Sequence, residues 1–551
     1  MRYLLVFFCF LTFLPANEDF QLADVKLSRL SKLNAPEMRE FPGGIEMAIS
    51  TNHPEAQKHV LQGLNLIHGG WDFEAYRHFL AAIEKDPDCL MAFFGMAFAT
   101  QGDGDEFTKA RITAIDRSLV LAQAGAGTPL ERGYVHGLHT LVSKGPQQAA
   151  EAFASVAAKF PNDPQLRLFE AYFLRSGFDE SGTPSAGQEL AQKKINDLLA
   201  KNPESLLFRN SWLVIRAENP FPAENDMAMA REVAAAMPDF PPIHHLLGHY
   251  EWRSGNFSNA SAAFSKTSDL YHAWMKKSEL GIVDCPEWIR SESYRAVALS
   301  SAGKLDDAMN IASALQKLAI PEKEIGSAGA RMIAWEGRTL AARLYHRFTD
   351  KASIQNALDS LPKPQEVNRL MKSTKAGSLY QALTLYFEGM KSVTGGDFKR
   401  AEEISQLMNL HGNQMTALRK EAIQLGEISH FARAFRGLEI ITAELKGNTV
   451  QRKEKGKSTA YNWYSGAVDR QNPASRMMPP LFLLPMQIKV GQYFHQLKEY
   501  DDALEAYEDG LKRWPNDLLL LDAQRITLVE KGDAATALEV RLKIEAIKAK
   551  K

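Results

Sequence analysis

The residues best suited to chemistry in this sequence lie in the run Ile243-His244-His245-Leu246-Leu247-Gly248-His249-Tyr250-Glu251. His245 and His249 are four positions apart, so on a helix their imidazoles share one face and can hold one metal ion. Glu251 or a neighbouring helix could supply a third ligand. A zinc peptidase would need Glu directly after the first histidine, and Leu246 stands there. We therefore interpret the cluster as packed histidines. A metal-dependent enzyme or metal-binding protein centred on His245 and His249 stays as the alternative.

Other chemical motifs are weaker. Gly456-Lys457-Ser458-Thr459 resembles the end of a phosphate loop, but position 451, where that loop needs its first glycine, is Gln451. The sequence has no Gly-x-Ser-x-Gly elbow, no Cys-x-x-Cys-His haem site and no paired zinc cysteines. These observations predict a protein that is not an enzyme and that carries no cofactor and no metal.

The stretch from Ala56 to Cys89 shows which elements organise the chain. It contains two helical patterns joined by a Gly-Gly-Trp-Asp turn, with small Gly63 twelve positions before small Ala75. Phe79 follows Ala75 by four positions, and Pro87 closes the unit. Small residues let two helix backbones approach, an aromatic side chain fills the space between them, and proline stops the second helix.

This unit resembles the tetratricopeptide repeat (TPR), whose period is about 34 residues. The same offsets return around Gly137, Gly248, Gly389 and Gly491. The resemblance implies an all-α fold, a right-handed α-solenoid of TPR-type antiparallel helix pairs, and a binding or scaffolding role. The run from Asp86 to Gly95 is also similar to exported bacterial TPR proteins of unassigned activity. No alternating strand pattern is present.

Composition and breaks in the repeats suggest a division of the chain. We expect a signal peptide at residues 1–16, an N-terminal extension at 17–51 and a first solenoid lobe at 52–362. A polar connector at 363–378 would precede a second lobe with a C-terminal cap at 379–551. At 551 residues the chain exceeds the usual length of a single compact core, about 250–300 residues, which suits repeats that stack.

The first sixteen residues predict export. Arg2 precedes an apolar run, Leu4 to Leu14, that is too short for a stable membrane anchor, and Ala16 marks the end. We expect a periplasmic or secreted protein without membrane insertion of the mature chain. Its net charge of −1, or −2 without Arg2, gives no reason to expect nucleic acid as a partner. Cys89 and Cys285 would remain, and we expect each to be buried at a helix end, with a disulfide between them as the alternative.

The TPR resemblance also predicts which side chains contact a protein or peptide partner. In TPR folds the first helix of each repeat lines the concave face, at fixed places around its small glycine. Those places hold Val60, Leu64, Ile67, His68, Tyr134, Leu138, His245, His249, Trp252, Arg253, Tyr386, Met390, Ile488 and Gln492. The Lys, Asn and Arg set that binds chaperone tails in other TPR domains is absent.

An apolar concave face is costly to leave in water, because burying each large side chain is worth roughly 1.5–3 kcal/mol. Either a partner covers this face or the chain covers it with its own residues 17–51. We favour the second, since Leu22, Val25, Leu27, Leu30 and Leu33 form an apolar stripe.

Overall fold

The structure is a computed structural model that describes residues 20–27, 33–101, 105–453, 459–472 and 480–549. These residues form α-helices joined by short turns. The described part of the chain contains no β-strand, only one isolated bridge between Phe178 and Pro184. The all-α prediction is therefore confirmed. The predicted signal peptide and the Gly456-Lys457-Ser458 part of the phosphate-loop-like run lie outside the described residues.

The helices follow one another in the order that the repeat pattern indicates. The first half of the chain contains α1 (Pro54–Gly69), α2 (Asp72–Lys85), α3 (Leu90–Ala99), α4 (Thr108–Gln123), α5 (Pro129–Lys144), α6 (Pro146–Lys159), α7 (Pro164–Leu174), α8 (Ala186–Lys201), α9 (Leu206–Arg216), α10 (Glu224–Ala236), α11 (Pro241–Arg253) and α12 (Phe257–Lys277). The second half contains α13 (Pro286–Ser301), α14 (Leu305–Gln316), α15 (Ala328–Met332), α16 (Leu340–Tyr345), α17 (Lys351–Ser360), α18 (Pro364–Leu370), α19 (Gly377–Gly395), α20 (Phe398–Gln424), α21 (Ile428–Lys453), α22 (Thr459–Gln471), α23 (Gln487–Gln496), α24 (Tyr500–Arg513), α25 (Leu518–Lys531) and α26 (Ala534–Ala549).

The helix ends follow from local chemistry. Asp163 and Asp517 each accept two backbone N–H groups at the start of α7 and α25. Such bonds satisfy donors that have no partner within the helix. Thr128 and Glu131 form a capping box at the start of α5. These bonds mark where the helices begin, and consecutive helices pack against one another.

A glycine facing an aromatic ring recurs between paired helices. A Cβ atom on Gly63 would lie 2.6 Å from the Phe79 ring, so only glycine lets α1 pack this closely on α2. The same relation, with the aromatic residue sixteen positions after the glycine, joins these three further pairs: Gly137 with Phe153, Gly248 with Phe264, and Gly491 with Tyr507. The repeat signal in the sequence is thus a backbone approach filled by an aromatic side chain.

The chain divides into two compact units. Among the described residues, those within 1–219, 224–246 and 273–280 form unit 1, and those within 220–223, 247–272 and 281–551 form unit 2. The stretch 363–378, which we predicted as a connector, lies within unit 2. It begins with α18, and the buried Leu370 belongs to the same hydrophobic cluster as Leu379.

Unit 2 departs from the repeat pattern between α15 and α16, where Ile333–Gly337 form a turn of π-helix. The turn places Glu336 in the interior, where it forms ion pairs with Arg343 and with Arg433, the latter at 3.0 Å. Burial opposes ionisation of Glu336, but the two arginines outweigh it and hold its pKa well below the usual range. The π-turn therefore joins α16 and α21 through a buried charge.

Cys89 and Cys285 are buried and are not joined in a disulfide. Each occupies the position before the first residue of a helix, α3 and α13 respectively. Burial raises the pKa of the Cys89 thiol to about 12 and raises that of Cys285 well above its ordinary value. None of the described helices combines the length and the apolar character that a membrane-spanning helix requires.

Candidate peptide-binding surfaces

The structure places the predicted contact residues at different depths. Eight are buried by the chain itself: Val60, Leu64, Tyr134, Leu138, His249, Tyr386, Met390 and Ile488. Five are half-buried, namely Ile67, His68, His245, Trp252 and Arg253, and Gln492 is exposed. The buried residues pack inside: Tyr134, for example, donates a hydrogen bond to Asp163 at 2.7 Å. The eight buried side chains offer no surface to a partner in this structure. The five half-buried residues and Gln492 keep exposed surface.

The N-terminal strap, residues 20–27 and 33–51, lies across α1 and α2 in unit 1. After a short 3₁₀ turn, Leu22–Asp24, it contains no further helix. Val25, Ile45 and Ile49 are buried. Of the predicted apolar stripe, Leu22, Leu27 and Leu33 are half-buried, and Leu30 lies outside the described residues.

Side chains of α1 and α2 bind the backbone of this strap. On α2, Tyr76 donates to the Val25 carbonyl at 2.7 Å, and Arg77 donates to the Asn34 carbonyl at 2.6 Å. On α1, the Gln62 side chain accepts the N–H of Arg39 at 3.0 Å. The Asn65 amide accepts the Ile45 N–H at 2.7 Å and donates to the Ile45 carbonyl at 3.4 Å. These side chains thus hold the strap through its backbone N–H and C=O groups.

The side chains that hold the strap are polar, and none of them was among the predicted contact residues. Gln62 and Asn65 lie beside the predicted Leu64 on α1, but the TPR resemblance selected only the places that are ligand-facing in other TPR proteins. The sequence signal that could have identified them is a run of large polar residues on helices that are otherwise buried. Arg77 and His78 are such residues on α2.

Arg77 is fixed by a buried polar cluster. Its guanidinium pairs with Glu74 at 2.7 Å and donates to Ser278 at 3.0 Å, while the Trp274 N–H donates to Glu74 at 3.1 Å. Burial raises the pKa of Glu74, although its contact with Arg77 acts in the opposite direction. These contacts hold the guanidinium, whose nitrogens are all donors, in place to donate to the strap carbonyl.

Two rings beneath the strap stay neutral. His59 and His78 approach through their Nδ1 atoms at 2.9 Å, and His78 Nε2 lies 3.2 Å from the Glu37 carbonyl. Burial is the main cause that lowers both pKa values, that of His78 to about 3. His68 bonds Gln165 at 3.0 Å, and desolvation of its ring lowers its pKa to about 4.

In unit 2, Trp252 and Arg253 line a small open cleft with a cavity volume of about 10 Å³. The remaining lining residues are Phe257, Ser301, Arg513, Trp514, Pro515 and Asp517. The two tryptophan rings meet edge to face with centroids 5.8 Å apart, and the Trp252 N–H lies 3.3 Å from the Ser301 hydroxyl oxygen. Small-molecule pockets usually measure about 300–1,000 Å³, whereas about 10 Å³ is roughly the space of one water molecule. This cleft is therefore not a small-molecule pocket.

His245 and His249 do not form part of a metal centre in this structure. The ring of His249 packs between Phe264 and Tyr294, with centroid distances of 5.5 and 5.3 Å. Throughout the part of the chain that the structure describes, no three His, Cys, Asp or Glu side chains are grouped to hold a metal ion. His249 therefore acts as a packed aromatic side chain.

A second buried acid in unit 2 has neighbours typical of a catalytic site. Glu444 lies 2.9 Å from His346 Nε2 and 3.3 Å from the Lys489 ammonium. Desolvation opposes its ionisation, but Lys489 and His346 outweigh this effect and lower its pKa to about 2. Both the Glu444 and the His346 side chains have no solvent-accessible surface. A substrate cannot reach them, so the cluster joins α16, α21 and α23.

The paired helices and the glycine–aromatic contacts at one spacing define the class of fold: an all-α array of helix pairs that resembles the TPR architecture. No protein-family model and no curated protein matches the chain. Among solved structures, it is similar to the human IFIT1 dimer with PPP-AAAA, with a TM-score of 0.34, 11% identity, and 91% of this chain and 92% of that chain covered. Yeast Tom70 gives a TM-score of 0.28 and 10% identity, with coverage of 90% and 92%. At such low scores, no activity or partner of these proteins extends to this chain.

Proposed function

We propose that this chain is an exported binding or scaffolding protein that engages a protein or peptide partner. The observation that carries the proposal is the strap, an extended segment bound to α1 and α2 through its backbone. A surface that holds an extended segment of its own chain has the donors and acceptors to hold another. The strap then acts as a resident ligand that a partner replaces.

The bonds to the strap favour a partner in extended form. Gln62, Asn65, Tyr76 and Arg77 contact carbonyl or N–H groups, so they tolerate many side chains on the occupant. Selectivity would come from the buried positions of Val25, Ile45 and Ile49. A partner would therefore place aliphatic side chains at the spacing of Ile45 and Ile49.

The predicted contact residues that keep exposed surface provide further sites. Trp252 and Arg253 border the small cleft in unit 2 and are half-buried, so a partner could contact their exposed atoms from outside. Four further predicted residues keep exposed surface and remain candidates for contact with a partner: Ile67, His68, His245 and Gln492. The buried residues of that set serve packing in this proposal.

Export rests on the sequence of residues 1–16. N-terminal sequencing of natively expressed protein should show cleavage near Asn17. Intact Met1 on protein from the cytosol would end this part of the proposal and leave the binding role unaffected.

The binding role is tested by weakening one backbone contact in the full chain. Asn65→Ala should increase hydrogen exchange at the Ile45 amide, because that N–H loses its acceptor. Asn259→Ala, on an exposed position of α12, is the matched control and should leave exchange at Ile45 unchanged. In a chain that lacks residues 17–51, Asn65→Ala should bind a peptide of residues 33–51 more weakly than the same truncated chain with Asn65 intact.

Deleting residues 17–51 tests the strap as a whole. The truncated chain should melt at a lower temperature, bind more hydrophobic dye and keep nearly all its helical circular dichroism. It should also capture the 33–51 peptide, and a version methylated at the Ile45 nitrogen should bind more weakly. An unchanged melting temperature, unchanged dye binding and no peptide binding would together reject the strap surface as a docking site.

A further inference from the structure

The first described part of the strap, residues 20–27, is held by its side chains as well as by its backbone. This segment, the strap head, lies on α2, α3 and α4 of unit 1. It contains the 3₁₀ turn Leu22–Asp24, which Asp24 closes by accepting the Gln21 N–H at 3.3 Å. Val25 is the only buried residue of the strap head. Release of the segment would therefore expose little apolar surface.

The aromatic ring at the start of the strap head contacts two helices. Phe20 meets the Phe93 ring of α3 edge to face, with the ring centroids 5.1 Å apart. The Arg117 guanidinium of α4 lies 5.6 Å from the centroid of the Phe20 ring. Aromatic pairs favour the edge-to-face arrangement, and a cation is attracted to the face of a ring. An aliphatic side chain would lose both interactions, so the surface favours an aromatic residue at this position.

One hydroxyl binds the strap head on both sides of residue 26. Tyr76 on α2 donates to the Val25 carbonyl at 2.7 Å and accepts the Leu27 N–H at 3.2 Å. These bonds hold Val25 where its side chain has no exposed surface. A polar or charged side chain in that place would lose its hydration, so the surface favours an apolar residue.

Opposite charges flank Val25 and meet opposite charges on the helices. Asp24 pairs with Lys109 of α4 at 2.7 Å, and Lys26 pairs with Glu84 of α2 at 2.8 Å. The bond from Lys109 lowers the pKa of Asp24, so this carboxyl stays ionised. Such exposed pairs add little affinity, but a segment with the two charges exchanged would meet like charge at both places.

We propose that the surface of α2, α3 and α4 under the strap head is a docking site for a segment of a partner protein with the same residue pattern. That pattern is an aromatic residue, an acid four positions later, and then an aliphatic residue and a base. The inference rests on the function proposed above and deepens it, because it specifies the sequence of the partner. The helices α2 and α3, and likewise α3 and α4, contact each other directly, so the site does not depend on the strap head for its shape.

A labelled peptide of residues 18–28 is the probe, and fluorescence polarisation measures its binding to the full chain. Phe20→Ala with Lys26→Glu removes the ring contacts and sets like charges together, so it releases the strap head. The peptide should bind this variant roughly tenfold or more tightly than wild type, whose own strap head competes for the site. Met38→Ala, at an exposed position of the strap, is the matched control and should bind like wild type. A chain lacking residues 17–27 is the second released form, and circular dichroism should show that all variants are folded.

Charge exchange at Lys109 tests which sequence the site selects. In both released forms, Lys109→Glu should weaken binding of the native peptide by about threefold, as expected for an exposed ion pair. The same variant should shift the preference toward a peptide that carries Asp24→Lys. Lys159→Glu, at an exposed position of α6, is the matched control and should leave the preference unchanged.

The peptide of residues 33–51 separates this inference from the proposed function. If that peptide binds the chain lacking residues 17–51, but the 18–28 peptide binds neither released form, the docking site is rejected and the proposed function stands. If neither peptide binds, both fail. An equal shift in preference with Lys109→Glu and Lys159→Glu would also overturn the site. A wild-type dimer that the 18–28 peptide dissociates would overturn it as well, because the occupant would then be the strap head of a second copy.

Discussion

The Nδ1 atoms of His59 and His78 lie 2.9 Å apart, so only one hydrogen can lie between them. The Glu37 carbonyl can only accept, so His78 Nε2 carries the hydrogen of that contact. In the neutral ring His78 Nδ1 is then an acceptor, and His59 Nδ1 is the donor. The strap carbonyl therefore fixes the tautomers of both rings, and the pair cannot hold two extra protons.

Acid should destabilise unit 1 through histidines whose rings are desolvated, among them the half-buried His68. The unfolded chain takes up protons on histidine below about pH 6.5, whereas folded His68 does so only near its lowered pKa of about 4. The unfolded state thus binds more protons between these values, and stability falls as the pH drops from about 6.5 to about 4. The loss from His68 should be on the order of 3 kcal/mol.

Urea unfolding of the wild type and of His68→Asn at pH 7 and at pH 4.5 measures this loss. The difference between the two pH values should be smaller in the variant. Equal differences would show that His68 does not contribute.

Breaking the Glu444–Lys489 pair should cost more than removing it. Lys489→Met leaves the Glu444 carboxylate buried with one fewer positive neighbour, and such changes destabilise by about 3–5 kcal/mol. Adding Glu444→Gln removes the remaining charge, so the double variant should recover part of the loss. Thermal unfolding of both variants gives the comparison. The single variant Glu444→Gln is measured as well. If Glu444→Gln lowers stability by the same amount with Lys489→Met as it does alone, the two residues are not coupled and the prediction is contradicted.

Gly63→Ala should destabilise the first helix pair by about 1–3 kcal/mol, because its Cβ would lie 2.6 Å from the Phe79 ring. Gly395→Ala is the control, since nothing lies within 4 Å of its Cβ, and it should be neutral or stabilising. Chemical unfolding measures both. Combining Gly63→Ala with Phe79→Leu should recover part of the stability, and the absence of any recovery would locate the effect elsewhere.

Zinc should bind the wild type no more tightly than it binds His249→Ala, because His249 packs between two aromatic rings. Isothermal titration measures this. A wild-type dissociation constant below about 1 μM, equivalent to roughly 8 kcal/mol, that disappears in the variant would restore the metal-binding interpretation.

The helix pairs could be predicted because their signal is local. Gly63 and Phe79 lie in one short stretch, and the contact between them leaves a fixed spacing in the sequence. The strap could not be predicted in detail, because an extended segment has no helical period and its partners contribute polar side chains. Gln62 and Asn65 look like solvent-facing residues until the segment they hold is placed on them.

The candidate contact face was harder to predict than the fold. The resemblance gives the places that face a ligand in a regular array of repeats, but Val60, Leu64 and Tyr386 are buried by the chain itself. The cleft at Trp252 combines a predicted residue with Trp514, which lies 262 positions away. No local pattern connects two residues at that distance, so only the tertiary structure shows the cleft.

The two buried thiols can report local unfolding of the protein around them. A thiol reagent attacks the thiolate, and burial with a raised pKa suppresses attack at both Cys89 and Cys285 while their surroundings stay folded. One lies in unit 1 and the other in unit 2. Peptide mapping after timed alkylation would therefore measure the rate at which each unit unfolds around its cysteine, without any engineered label.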